Sequence, residues 1–259
     1  MAVFDDGTGP ALYAGGEFTL AGGAPANNIA KWDGKRWWPL GQGLTGYVAY
    51  VNALAIYDDG TGPALYVGGG FTYAGGVPAR AIAKWDGKSW WPLAQGSIGP
   101  VYALEVLDDG TGFGEALYAC AYMEETGQPG SRDYLARWDG HRWSHVGLGA
   151  NSSGTAAVFP FRDGRSPGLV IGGGFTQTAA GPANRITQWR ACNPGDLDGD
   201  EDVDLADFAI FQQCYGGPNN PPAPTCPPGV TADLEPPRRD GDVDLADFLI
   251  FQQNFTGSR

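Results

Sequence analysis

Nine residues, DDGTGPALY, stand identically at 5–13 and 58–66, and the later landmarks keep step with that repeat. Trp32, Trp85, Trp138 and Trp189 follow one another at 53, 53 and 51 residues. A period near 50 residues restricts the chain to a series of similar units, each too small to bury its own faces and dependent on its neighbours. The units run about 1–50, 51–101, 102–154 and 155–190. Unit two reads as an apolar stretch (51–57), a DG-type turn, a second strand (64–71), a loop carrying AGG, a third strand (80–85), Asp86-Gly87, and a fourth strand (89–93). Short strands punctuated by Gly, Asp and Pro predict antiparallel β-structure.

One four-stranded sheet per period predicts the blades of a β-propeller over residues 1–190. Phe18, Phe71 and Phe175 each precede their tryptophan by 14 residues, which holds the second and third strands in register. Unit three departs, with CAYMEE at 120–125 and one extra residue. Unit four ends at Trp189-Arg190 without the WDGxxWxxL strand, and the chain starts inside a strand at Ala2-Val3-Phe4. A four-bladed ring and an open arc of a longer propeller both fit. The GGxFT and WDGxxW signatures resemble the long kelch-like repeats of bacterial surface proteins and fungal cortical-marker proteins.

The other constraint is Asp196 to Asp207, DLDGDEDVDLAD, with seven acidic side chains in twelve residues. Counted from Asp196, oxygen ligands fall at positions 3 (Asp198), 5 (Asp200), 7 (Asp202, through its carbonyl), 9 (Asp204) and 12 (Asp207), the ligand spacing of an EF-hand loop. Like charges about 4 Å apart repel by roughly 4 kcal/mol at an effective dielectric of 20, so folding them inward calls for a cation, and the spacing makes it Ca²⁺. Position 6 is Glu201 where the turn prefers glycine, and position 12 is an Asp, shorter than the usual Glu. Weak affinity of the extracellular kind is expected.

After the loop, Leu205, Phe208, Ile210 and Phe211 predict one apolar helix stripe ending near Gly216-Gly217. DVDLADFAIFQQ (202–213) and DVDLADFLIFQQ (242–253) then differ at one position, Ala209 against Leu249. At these residues the chain resembles a type I dockerin, the duplicated calcium module that docks onto cohesins in secreted polysaccharide-degrading systems. The resemblance covers 193–259 within a predicted domain at 191–259 and implies a small all-α loop-helix fold. In the second loop Asp240, Gly241, Asp244 and Asp247 match positions 5, 6, 9 and 12, with Asp242 between them, while positions 1 and 3 are Pro236 and Arg238. Either Asp233 and Glu235 serve through an enlarged loop, or the second site is impaired. In dockerins positions 10 and 11 help select the cohesin. Here they are Leu205-Ala206 and Leu245-Ala246, which either contact a partner or pack inside the module.

Cys192, Cys214 and Cys226 flank the first loop and the Pro-rich linker, and Cys120 lies alone in unit three. Cys214 with Cys226 would close the linker and hold the two helices together. Pairing through Cys192, or no pairing, are the alternatives. A disulfide implies an oxidising, extracellular compartment. Residues 1–20 show no signal-peptide pattern, so a leader would lie upstream. Residues 193–259 carry 13 acidic and 3 basic side chains, net −10 of the total −13. Neither nucleic acid nor anionic membrane suits such a surface.

Nothing in the repeats assembles an active site. His141 and His145 stand where other units carry surface residues, GxSxG and HExxH are absent, and Asp33, Asp86 and Asp139 recur as turn residues of WDG. In Trp37-Trp38 and Trp90-Trp91, neighbours on a strand point to opposite faces, so one of each pair packs and the other is exposed. The expected function is a non-catalytic, secreted or cell-surface binding protein, tethered through the calcium module to a cohesin-like partner. The alternative is a glycan-hydrolysing or glycan-binding component of a polysaccharide-degrading system, with Glu124, Glu125 and Asp133 in unit three as its carboxylates.

Overall fold

The structure is a computed structural model that describes residues 1–93, 98–109, 114–124, 132–138, 140–146, 150, 155–161, 167–178, 181–190, 195–198, 203–227, 232–234 and 241–255. Of the described residues 47% are strand and 10% helix, which makes the chain mainly β. It divides into two compact units, one of 1–107, 116–160 and 170–189, the other of 190–259 with 108–115 and 161–169.

The repeats fold into successive antiparallel sheets. The first is ordered Ala2–Asp5, Pro10–Gly15, Ile29–Trp32, Trp37–Pro39, and the second Val51–Asp58, Pro63–Gly69, Ile82–Trp85, Trp90–Pro92. The third is Ile98–Asp108, Glu115–Glu124, Arg132–Trp138, Trp143–His145. The fourth has three strands, Thr155–Phe161, Gly168–Gly173 and Ile186–Arg190, in keeping with the missing WDGxxW strand of unit four.

The core lies between sheets. Phe4, Tyr13 and Ile29 of the first pack with Val51, Leu65, Val67 and Ala83 of the second, while Tyr66 and Ile82 on the second sheet's other face pack with Val101, Leu117 and Ala136 of the third. Alternation along 65–67 thus feeds two cores, and that strand is buried on both faces. The close approach requires small residues. A Cβ on Gly15 would stand 2.3 Å from Val51 Cγ1, and one on Gly68 2.5 Å from Val101 Cγ1.

The AGG loops carry small hairpins that the strand pattern did not anticipate. Leu20–Ala21 pairs with Ala24–Pro25, and Tyr73–Ala74 with Val77–Pro78, each around two glycines at positive φ (59° and 83°, 59° and 85°). Both central residues of such a turn need positive φ, which glycine adopts without penalty. Leu44–Thr45, from the connection between units one and two, adds a third strand to the second hairpin.

In the other unit, α1 (Leu205–Cys214) and α2 (Leu245–Asn254) have matching starts. Asp204 and Asp244 are N-caps, and Asp207 and Asp247 complete capping boxes by accepting from the cap backbone. Phe211, Cys214 and Phe251 form the centre of a core with Val203 and Val243, and Phe208 and Phe248 pack against it. Phe211 and Phe251 lie 5.6 Å apart by ring centroid. The expected stripe needs correction at two positions, since Leu205 is 69% exposed and Ile210 stands outside the core. Leu205 occupies the first helical position, and the inward face is Phe208, Phe211 and Cys214, three residues apart.

Cys214 and Cys226 form the disulfide (S–S 2.02 Å). Cys192 lies outside the described residues, and Cys120 is buried in the third sheet. Among the described residues no helix is long and apolar enough to cross a membrane.

Candidate metal centres and partner face

The capping boxes gather the carboxylates. Once Asp207 is fixed at the third position of α1, its buried Oδ1 accepts from the backbone N–H of Leu197 (2.6 Å) and Asp198 (3.1 Å), and its Oδ2 from Asp204 (2.9 Å). Those bonds wrap the preceding loop around the helix start. They bring carboxylate oxygens of Asp196, Asp198 and Asp207 within 4.8 Å of one another. Asp204 uses its side chain to cap Ala206 N at 2.6 Å and stands outside this trio. Asp200 and Asp202 lie outside the described residues.

The second cluster joins Asp242, Asp244 and Asp247, again within 4.8 Å, with Asp242 and Asp247 buried. Asp240 and Glu235 lie outside the described residues. The loop's first residue can be placed by its bonds. Leu234 N donates to Asp247 Oδ1 as Leu197 N does to Asp207 Oδ1, so Leu234 corresponds to Leu197 at an offset of 37, although the helices are offset by 40. Asp233 therefore matches Asp196 in the order of these bonds, with three more residues between Leu234 and the second helix than between Leu197 and the first, and it stands outside the trio of Asp242, Asp244 and Asp247. Asp233 Oδ2 accepts from Gly241 N at 3.0 Å, and Gly241 has φ +93°, the left-handed turn that a glycine allows.

Two like charges 4.8 Å apart repel by about 3.5 kcal/mol at an effective dielectric of 20. Backbone N–H donors offset part of that repulsion and a divalent cation would offset more. A donor set of carboxylate oxygens suits hard cations such as Ca²⁺ over Zn²⁺ or copper, which favour nitrogen and sulfur.

Each helix also exposes apolar side chains. Leu205 is 69%, Leu245 61% and Leu249 52% exposed, with Ala206 exposed and Ala246 half-buried. Packing inside the module, one of the two readings of these leucines, is thereby set aside.

At the DDGTG turns the repeats hold a polar cluster that a plain hairpin turn does not require. Asp6 accepts from Lys31 Nζ (2.5 Å), Thr8 Oγ1 (2.6 Å) and Tyr13 Oη (2.8 Å). Asp59 accepts likewise from Lys84 (2.7 Å), Thr61 (2.6 Å) and Tyr66 (2.8 Å). Burial alone would raise these carboxyls, but the lysine, threonine and tyrosine bonds hold both at about 2. Burial and the adjacent carboxylate push the Tyr13 and Tyr66 hydroxyls upward. A constant 25-residue spacing from the second Asp of DDGTG to the Lys before Trp was the available signal.

The tryptophan pairs divide as alternation predicts. Trp90 is buried and Trp91 is 55% exposed; Trp37 is half-buried and Trp38 40% exposed. Trp38 and Trp91 donate from Nε1 to Asp33 (2.6 Å) and Asp86 (2.7 Å), which gives these two aspartates a part in holding the WDG turns. Asp139 lies outside the described residues, and so do Glu125 and the side chains of Glu124, Asp133 and His145. His141 is exposed. Comparison with protein-family models, curated proteins and solved structures found no match.

Proposed function

We propose that the C-terminal unit is a calcium-dependent docking module and that the repeats, read as β-propeller blades, form a non-catalytic recognition body of a secreted or cell-surface protein. The observation that carries this reading is the duplicated capped helix start: in each, the capping-box Asp207 or Asp247 belongs to a three-carboxylate cluster, whose other members differ between the two, beside an exposed leucine at the first helical position. Ca²⁺ bound at Asp196, Asp198 and Asp207, and at Asp242, Asp244 and Asp247, would relieve the repulsion and stiffen the helix starts. Leu205-Ala206 and Leu245-Ala246 would then face a cohesin-like partner. The near-identity of the helices offers that partner two related orientations. The Cys214–Cys226 disulfide agrees with an oxidising environment.

Calorimetric titration of the full chain with Ca²⁺, before and after chelation, tests the metal. Heat of binding that is lost in Asp207→Asn with Asp247→Asn supports it, and identical melting in chelator and in millimolar Ca²⁺ rejects it. Capture by a panel of cohesins that fails for Leu205→Asp with Leu245→Asp, at unchanged Ca²⁺ affinity, supports the partner.

A further inference from the structure

The exposed tryptophans at equivalent places in units one and two have different neighbours. In unit one the Arg36 guanidinium lies 3.7 Å over the Trp38 ring and covers one face of it. The corresponding residue in unit two, 53 positions on, is Ser89, an exposed side chain too short to reach Trp91. Trp91, at 55% exposure, lines a cleft of ≈ 500 Å³ together with Asp59, Thr61, Lys84, Asp86 and Trp138.

The polar groups of this cleft present acceptors. The three protons of the Lys84 ammonium are taken by Asp59 Oδ1 (2.8 Å), Asp59 Oδ2 (2.7 Å) and Thr61 Oγ1 (2.6 Å). Its charge is matched by Asp59, which leaves Asp86 as the net charge among these residues. Asp86 Oδ2 accepts from Trp91 Nε1 (2.7 Å), and Oδ1 from Lys88 N (2.8 Å) and Ser89 N (2.7 Å). A carboxylate has about four lone-pair sites, so one remains for a ligand. The bond from Nε1 also fixes the indole plane before anything binds, which lowers the ordering cost of a stacked ligand.

We infer that this cleft binds a neutral saccharide, with the C–H face of a pyranose ring stacked on Trp91 and a sugar hydroxyl donating to Asp86. The electron-rich indole face attracts polarised C–H groups, and a sugar hydroxyl supplies a donor for the open acceptor site of Asp86. An anionic sugar would meet Asp86 with its own charge. The inference rests on the reading of the repeats as a recognition body and gives that body a ligand class and a place.

The full chain, in Ca²⁺, is titrated calorimetrically with neutral β-linked hexasaccharides of glucose, xylose, mannose and N-acetylglucosamine, with a uronic-acid hexasaccharide and tetramethylammonium as counter-ligands. At least one neutral hexasaccharide is expected to bind. Trp91→Ala and Ser89→Arg, the latter restoring the cover of unit one, are expected to weaken it at least tenfold, and Trp38→Ala to leave it unchanged. Thermal melting of each variant checks that it is folded. Saccharide binding that survives Trp91→Ala and Ser89→Arg keeps the recognition body and removes this cleft. Binding of the uronic acid or tetramethylammonium without neutral sugar overturns the ligand class, and no saccharide binding in a chain that still takes up Ca²⁺ overturns the inference while leaving the docking module intact.

Discussion

The indole Nε1 of Trp90 donates to the carbonyl of Leu40, 50 residues earlier, at 2.9 Å. Trp143 makes the same bond to Leu93 (3.2 Å), and in unit four, which lacks that tryptophan, Trp189 reaches Val146 (3.1 Å). The second, third and fourth sheets are thereby each tied to the end of the preceding one by a hydrogen bond, and the first three also share apolar core. Trp90→Phe keeps most of the packing but leaves a buried carbonyl without its donor, a loss of about 1–2 kcal/mol. Urea unfolding followed by circular dichroism should show a lower midpoint for Trp90→Phe and an unchanged one for Trp91→Phe.

The Asp6 and Asp59 carboxyls, held at about 2 against an ordinary 3.8, make the folded repeats take up fewer protons than the unfolded chain between those values. Their contribution is complete above the unfolded value and is lost as pH falls through the folded one. Thermal melting of the repeats should therefore drop between about pH 4 and pH 2. Asp59→Asn should flatten that drop. It should also cost about 3 kcal/mol at pH 7, because Lys84 stays buried without a counter-charge.

Cys214 and Cys226 close a loop with a sequence separation of 12, and their cross-link restricts the unfolded chain. Chain-entropy reasoning assigns a loop of this size roughly 3 kcal/mol. Reduction, or Cys214→Ser with Cys226→Ser, should lower the melting temperature of the C-terminal unit in differential scanning calorimetry. The transition of the repeats should not move.

Asp233, matched to Asp196 by the order of the loop bonds, makes a specific claim about the second calcium loop. Calorimetry should count two Ca²⁺ per chain, falling to one in Asp233→Ala and remaining two in Pro236→Ala. A count of one in the unaltered chain, insensitive to Asp233→Ala, would show that the enlarged loop takes no ion.

Much of this architecture is local and was legible along the chain. Period-2 alternation and Gly-rich turns give strands, the 53-residue spacing of Trp32, Trp85 and Trp138 makes the sheets alike, and Asp204 and Asp244 announce helix starts by the same capping pattern. Exposure of Trp38 and Trp91 also followed from alternation. Relations that depend on reach between distant segments were another matter. Hairpin chemistry explained DDGTG without Lys31 or Lys84, since nothing local says that a side chain 25 residues on folds back onto the turn. Counting from the second helix puts Pro236 first in its loop and leaves Asp233 in an enlarged loop as the alternative, because spacing has no means of weighing an insertion, whereas the bonds from Leu234 and Gly241 do. Leu205 reads as core by composition and lies outside because the aromatic residues of the two helices fill the interior. The sequence by itself determined the elements, their recurrence and the charge gathered at the helix starts. The tertiary structure decided which aspartates meet, which leucines face solvent and which tryptophan stays uncovered, because each depends on packing and hydrogen bonds between residues far apart in the chain.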